Sequence, residues 1–435
     1  MGKLEKYTSY KDSGVEWLGE IPEHWEVEKL FGLCNFIRGN SSFSKDELLS
    51  NGKYVALQYG KTYKVDEVDE KYKFYVNDEF YKSSQIVNFG DTIFISTSET
   101  IEDLGHSAYY KRSDLGLLGG EQILLNSKVE IIDSKYLYFS SKVFSKELQR
   151  FATGIKVFRF NINDLKTIYT PLPPKEEQTK IASFLDEKTS QIDNAISQKE
   201  KLIELFKERR QITINEAVTK GLDKSVEFKD SGVEWIGEIP KHWDIEKGKR
   251  LFKQMKRPVR EQDEIVTCFR DGVVTLRSNR RTEGFTNALK EHGYQGIRKG
   301  DFIIHNMDAF AGAIGISDSD GKSTPVYAVC RPWDENLVSS EYYAKYLRNL
   351  ALQDFILSLA KGIRERSTDF RFKDFGELEY PLPPKDEQIK IVEHIEIQTA
   401  KIDKAIELQQ NYIAKLKEYK ASLIDSVVTG KVRVA

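Results

Sequence analysis

Basic side chains crowd the sequence in two kinds of place. Between Lys247 and Lys299 there are fourteen Lys and Arg residues, among them Arg277, Arg280 and Arg281, against six acids. A second cluster, Lys361-Gly362-Ile363-Arg364-Glu365-Arg366, carries Lys361, Arg364 and Arg366 on a glycine-containing stretch. A counterpart, Thr153-Gly154-Ile155-Lys156-Val157-Phe158-Arg159, carries Lys156 and Arg159 and is two residues shorter between its glycine and the shared Phe160/Phe370. The chemistry open to such residues is non-covalent. Lys neutralises a phosphate, Arg pairs with the O6 and N7 of guanine, and glycine lets a loop approach closely. The competing reading is a solvated charged face, which charge runs usually are.

Covalent chemistry has no comparable foothold. The sequence contains no GxSxG, HExxH or P-loop, and no glycine-rich dinucleotide turn follows a strand. Cys34, Cys268 and Cys330 are odd in number and widely spaced, which predicts buried thiols in place of disulfides or a zinc site. His24 and His242 lack ligand-spaced partners and are expected to pack or hydrogen-bond. No catalytic, cofactor-binding or metal-binding residue is therefore assigned.

The bulk properties are those of an ordinary water-soluble protein. The 435 residues carry a net charge of −2, which taken alone speaks against a nucleic-acid binder, but whole-chain charge averages over parts with different roles. No apolar run approaches the ~18 residues of a membrane span, and MGKLEKYTSY lacks the apolar stretch of a secretory signal. A cytoplasmic protein with no membrane partner is expected.

What must position the basic loops is a unit that occurs twice. Lys11–Lys29, KDSGVEWLGEIPEHWEVEK, returns at Lys229–Lys247 with four changes. PLPPKEEQTKI at Pro171–Ile181 returns as PLPPKDEQIKI at Pro381–Ile391, and Gly90-Asp91-Thr92-Ile93 returns as Gly300-Asp301-Phe302-Ile303. The offset is 218 residues for the first pair and 210 for the others, so the second copy is shorter by eight residues somewhere before Gly300. Between these blocks the copies diverge almost completely, the pattern of one scaffold with two surfaces. Trp17, Trp25, Trp235 and Trp243 read as amphipathic anchors docking the start of each unit.

Each copy begins with a region of short β-like runs, such as Asp91–Ser96 and Asp301–His305, and closes with a proline-free stretch rich in Glu, Lys, Gln, Leu, Ile and Ala after an extended PLPP lead-in. In the second copy Ile391, Ile395, Gln398, Ile402, Ala405, Gln409, Tyr412, Leu416, Tyr419 and Leu423 fall at alternating steps of four and three. Ile181, Leu185, Lys188, Ile192, Ala195, Lys199, Leu202 and Phe206 keep that register in the first. A 3.5-residue period is a coiled-coil seam. Helices over 175–219 and 385–429 would each run roughly 65 Å, and an antiparallel pair would hold two globular parts at opposite ends about a pseudo-twofold axis. Dimerisation through the helices, or packing on their own unit, is the alternative.

The repeated DSGVEWLGEIPxHW opening, the PLPPKxEQxKI segment and the IDxAI helix segment resemble the specificity subunit of type I restriction–modification systems. The resemblance extends over essentially the whole chain. Asn306-Met307-Asp308-Ala309-Phe310-Ala311-Gly312-Ala313-Ile314-Gly315 is similar to a stretch found in one group of target-recognition domains. It implies an α+β protein: mixed α/β target-recognition domains over 10–174 and 228–384, a long spacer helix and linker over 175–227, and a second spacer helix and tail over 385–435. The domains would each read one half of an asymmetric, interrupted site in double-stranded DNA, and the helices would dock two modification subunits. The chain itself would hold no cofactor; S-adenosylmethionine, ATP and Mg would sit on the modification subunits and on separate restriction subunits. A coiled-coil scaffold organising protein partners explains the helices equally well, but not the basic divergent segments.

The basic loops supply the bets for DNA contact: Lys156 and Arg159 in the first domain, Arg277, Arg280, Arg281, Lys361, Arg364 and Arg366 in the second. Replacing Arg364 and Arg366 with Ala is expected to weaken binding mainly at one half-site, measured by gel shift. Unchanged affinity and sequence preference would remove that assignment.

Overall fold

The PLPP segments do what proline-rich lead-ins do: each forms a short extended strand and then hands the chain to a helix. Tyr169–Leu172 pairs antiparallel with Glu26–Lys29, and Glu379–Leu382 pairs in the same way with Asp244–Lys247. Helices Lys175–Lys220, of 46 residues, and Lys385–Val428, of 44, follow at once, each with two acids in its first turn, where the helix dipole favours them. The computed structural model describes residues 5–280, 292–359 and 369–434. No helix among these is long and apolar enough to cross a membrane.

The chain divides into two units. The first holds residues 1–199 and 411–435, the second 200–410, so each combines one globular part with the start of one long helix and the end of the other. In the first unit a five-stranded sheet runs Cys34–Arg38, Gln122–Ser127, Thr92–Ile95, Ser107–Tyr110, Glu67–Val68, antiparallel except for its last pair. A four-stranded sheet, Tyr75–Val76, Tyr54–Leu57, Gly116–Leu118, Ile86–Val87, stands beside it. Helix Ser134–Phe144 covers the larger sheet, with Phe144 stacked on Phe94 at 5.8 Å. In the second unit the sheet is Phe252–Gln254, Tyr327–Pro332, Phe302–His305, Ile314–Ile316, antiparallel throughout and covered by helix Ser340–Leu352. Two small ribbons, Val266–Cys268 with Val274–Leu276 and Gln295–Ile297 with Gly321–Ser323, accompany it.

Equivalent residues make the same joint in each unit. Trp25 and Trp243 are fully buried, so each indole N–H needs an acceptor, and it finds Glu177 at 3.2 Å and Glu387 at 3.0 Å, in the first turn of a long helix. His24 and His242 reach the same carboxylates at 2.9 and 2.8 Å. The next residue, Gln178 or Gln388, is buried and fully engaged. Its carbonyl accepts from the backbone N–H of Asp133 or Ser339, the N-cap of the domain helix, and its amide donates to Pro173 and Ile131 or to Pro383 and Leu337. The six-membered ring of each indole lies beside the glycine just past the end of the other long helix, Gly430 in the first unit and Gly221 in the second. Tyr342 donates to the Val218 carbonyl at 2.8 Å, and Tyr136 lies 3.5 Å from that of Val428.

Within each unit the two helix segments run antiparallel. Lys420 pairs with Asp193 at 2.8 Å and Lys199 lies 4.5 Å from the Tyr412 ring; in the second unit Arg210 pairs with Asp403. The seam, however, departs from the expected register. Thr189, Ile196, Ile203 and Ile413 are buried where Lys188, Ala195, Leu202 and Tyr412 were expected, and Leu202 and Tyr412 are exposed. An α-helix turns every 3.6 residues, so a strict 3.5 pattern slides off the buried stripe.

The third repeated block is structural as well. Asp91 and Asp301 are buried carboxylates that each accept from the backbone N–H three residues earlier, Asn88 or Arg298, but the Asn126 amide completes Asp91, whereas Arg257 and Arg331 complete Asp301. Helix attachment also differs in part. In the first unit Lys420 joins Asp193 to Asp66, which also pairs with Lys142, while in the second Asn349 binds Gln211 and Asn215 through amides. Burial disfavours the Asp66 carboxylate, yet the Lys142 and Lys420 ammonium groups outweigh this and hold it well below the usual range.

Two expectations follow. Gly14 and Gly430 both have positive φ, but a Cβ on Gly14 meets nothing, whereas one on Gly430 would lie 2.3 Å from Pro22. Gly430→Ala should therefore lose about 2 kcal/mol more than Gly14→Ala in urea denaturation, overpacking added to the same backbone strain; equal losses would contradict the joint. Because the folded Asp66 value lies below the unfolded one, its stabilisation is present above about pH 4 and lost as pH falls through the depressed value. Asp66→Asn should lower the thermal midpoint near neutrality and flatten that acid loss, and an unchanged midpoint would contradict it. The half-exposed carboxylate limits the effect to about 1 kcal/mol.

Candidate nucleic-acid interface

The loop carrying Lys156 and Arg159 is a closed hairpin. Thr153 and Arg159 exchange backbone hydrogen bonds at 3.0 and 2.9 Å, and Phe158–Arg159 pairs antiparallel with Thr97–Ser98. The Phe160 N–H then donates to Ser96. In the second unit the Phe370 N–H donates to Asn306, the residue equivalent to Ser96, so the shared phenylalanine anchors the chain to the end of the same central strand in both. Arg281, Lys361, Arg364 and Arg366 lie outside the described residues.

Lys156 and Arg159 are exposed, and neither forms an ion pair among the described residues. Arg280 is different. Its guanidinium pairs with Asp271 at 2.5 Å and lies 4.5 Å over the Phe269 ring, so it closes the turn between two strands. Arg277 starts a short 3-10 turn, and its Nε lies 3.3 Å from the Thr267 hydroxyl. Both lie just past the ribbon of Val266–Cys268 and Val274–Leu276, in the turn that follows its second strand.

Among the described residues, much of the positive charge counted along Lys247–Lys299 is paired in three dimensions. Lys247 and Lys249 meet Glu377, Arg257 meets Asp301, Arg260 meets Asp320, Arg270 meets Asp308 and Arg298 meets Asp263. Four of those acids, Asp301, Asp308, Asp320 and Glu377, follow the segment in sequence, and a linear count omits them. Ile155 and Val157, the apolar neighbours of Lys156, are also exposed on this hairpin, and nothing in the sequence marks them.

No group of three or more His, Cys, Asp or Glu side chains suited to a metal occurs among the described residues. The cysteines are free and buried, and burial pushes the Cys34 thiol up to about 12.

Residues 22–205 match the family described as type I restriction modification DNA specificity domain. Over 426 residues the chain is 24% identical to the type I restriction enzyme MjaVIII specificity subunit of Methanocaldococcus jannaschii, covering 95% of this chain and 94% of that one. It is 24% identical to the EcoBI specificity subunit of Escherichia coli over 72% of this chain and 70% of that one. The fold is similar to that of a chain from a type I R-M system solved for its complex assembly and conformational transition, with TM-score 0.69, 17% identity, and coverage of 94% of this chain and 98% of that one. The HsdS subunit of Thermoanaerobacter tengcongensis gives TM-score 0.51 at 17% identity, covering 95% and 98%. The first unit thus carries a type I DNA specificity domain. Over nearly its whole length the chain is similar to specificity subunits of type I restriction enzymes.

The geometry separates two kinds of basic residue by their effect on folding. Lys156→Ala and Arg159→Ala should leave the thermal midpoint almost unchanged, within about 0.5 kcal/mol, whereas Arg280→Ala should lower it by stranding Asp271. A scanning-fluorimetry series in which Lys156 or Arg159 is the more destabilising would reverse this assignment.

Proposed function

We propose that this chain selects the DNA sequence on which a type I restriction–modification complex acts, and that each globular unit reads one half of a bipartite, asymmetric site. The observation that carries the reading is the joint. The same Trp, Glu, Gln and Gly contacts recur in both units around strands and loops that do not match. A frame repeated in this way suits a pseudo-twofold pair of antiparallel spacer helices, with the gap between half-sites set by their length. Two identical units would select a palindrome, whereas two diverged ones select an asymmetric target.

In this proposal the chain contributes specificity and assembly but no chemistry. Two modification subunits dock on the helices and bring S-adenosylmethionine; restriction subunits bring ATP and Mg. The complex works in the cytoplasm. The basic loops supply the phosphate contacts that hold the duplex in register, while loop side chains that differ between the units read base edges.

The test is a map of methylated adenines across a genome in cells holding the modification subunits, with and without this chain. The expected result is one split motif with a fixed internal gap, present only with the chain. Methylation independent of the chain, or an unsplit motif, would overturn the proposal. In binding assays with the assembled complex, Lys156→Ala with Arg159→Ala should reduce the slope of log affinity against log salt by about 2; an unchanged slope would remove those residues from the interface.

A further inference from the structure

The Thr153–Arg159 hairpin presents an isoleucine where solubility gives no reason for one. Ile155 is 95% exposed, above any other large apolar side chain among the described residues, and Val157 beside it is 40% exposed. A scattered exposed apolar residue ordinarily needs no explanation. Here the backbone is built to hold it out. Thr153 and Arg159 close the loop with two backbone hydrogen bonds, and the Thr153 hydroxyl adds a third at 3.2 Å. Gly154 takes φ +119° and lies so close to the Val157 carbonyl that a Cβ would be 2.0 Å away. Only glycine permits that crossing. The tip is therefore fixed before any partner arrives, and a ligand that covers Ile155 meets little loss of loop entropy.

What surrounds Ile155 defines the ligand. Lys156 follows it and Arg159 closes the same hairpin, both exposed and unpaired by any carboxylate among the described residues, so one small loop carries an apolar side chain and two free cations. A polyanion with an apolar group recessed between its charges matches this surface. In duplex DNA that group is the thymine C5-methyl, which lies in the major groove between phosphate backbones and is the one aliphatic feature by which a base pair is told from the others.

We infer that Ile155 is a specificity-determining residue of the first unit that reads a thymine by apolar contact with its methyl group, with Lys156 and Arg159 on the adjacent phosphates. The inference rests on the DNA-reading function proposed above and adds to it a residue and the base feature it recognises.

The experiment uses the full chain assembled with its modification subunits and duplexes carrying the mapped site, in which each thymine is replaced singly by uracil, which lacks only the methyl. One replacement in one half-site should weaken wild-type binding roughly fourfold, the effect of losing one buried methyl. Ile155→Ala should weaken binding to the thymine duplex by a similar factor and be indifferent to that same replacement, while Lys156→Ala remains sensitive to it. Ile155→Ala binding as tightly as wild type would overturn the inference. So would a variant that loses affinity yet keeps every wild-type response to uracil, the pattern of a wedge between base steps. Loss of modification-subunit association without change in base preference would assign the tip to a protein contact and also overturn it. If wild type shows no preference for the split site, the functional reading fails as well; a preference that Ile155→Ala leaves intact confines the failure to this residue.

Discussion

Two indoles that cannot be left half-satisfied organise this protein. Trp25 and Trp243 are excluded from water, and each has a single polar atom that must donate. The acceptor, Glu177 or Glu387, lies in the first turn of a long helix, where the dipole already favours a carboxylate. The six-membered ring lies beside the glycine that follows the end of the other helix. One side chain thereby fixes a helix start, a helix end and the first strands of a domain. Gln178 and Gln388, buried with their polar atoms engaged, carry the same constraint on to the N-cap of the domain helix.

With the joint fixed by these few groups, the remainder of each unit is free to differ, and it does. The first unit has a second four-stranded sheet, whereas the described part of the second has two short ribbons. The buried aspartate of the shared Gly-Asp turn takes an asparagine side chain as partner in one unit and two arginines in the other. Equivalent ion pairs, Lys135 with Asp186 and Lys345 with Glu396, attach the helix in both units, and to these the first adds the Lys420 pairs and the second the Asn349 amide contacts. Such variation around a constant frame is what a protein needs if its two surfaces recognise different things.

Much of this was legible in the sequence because it was written twice. The tryptophan and PLPP blocks, their offsets and the proline-free stretches located both joints and both helices. Trp25 and Trp243 as anchors, and His24 and His242 as hydrogen-bonding residues, followed from residue type. What was not legible depended on folding back. The seam slips by one residue at Thr189, Ile196 and Ile413 because a 3.5-residue pattern only approximates a helix turning every 3.6. The basic character of Lys247–Lys299 shrank because Asp301, Asp308, Asp320 and Glu377 return from later in the chain to neutralise it. Ile155 drew no notice because exposure is not a property of sequence. Arg280 read as a free cation, but its carboxylate partner Asp271 is nine residues away.

The claim on which everything else turns is that a common frame holds two independent readers. The most direct measurement is the methylation motif directed by a hybrid chain in which the residues between the tryptophan and PLPP blocks of the second unit are replaced by those of the first. The account predicts a motif that is an inverted repeat of one original half-site, separated by the original gap. An asymmetric motif, or an inverted repeat with a different gap, would contradict it.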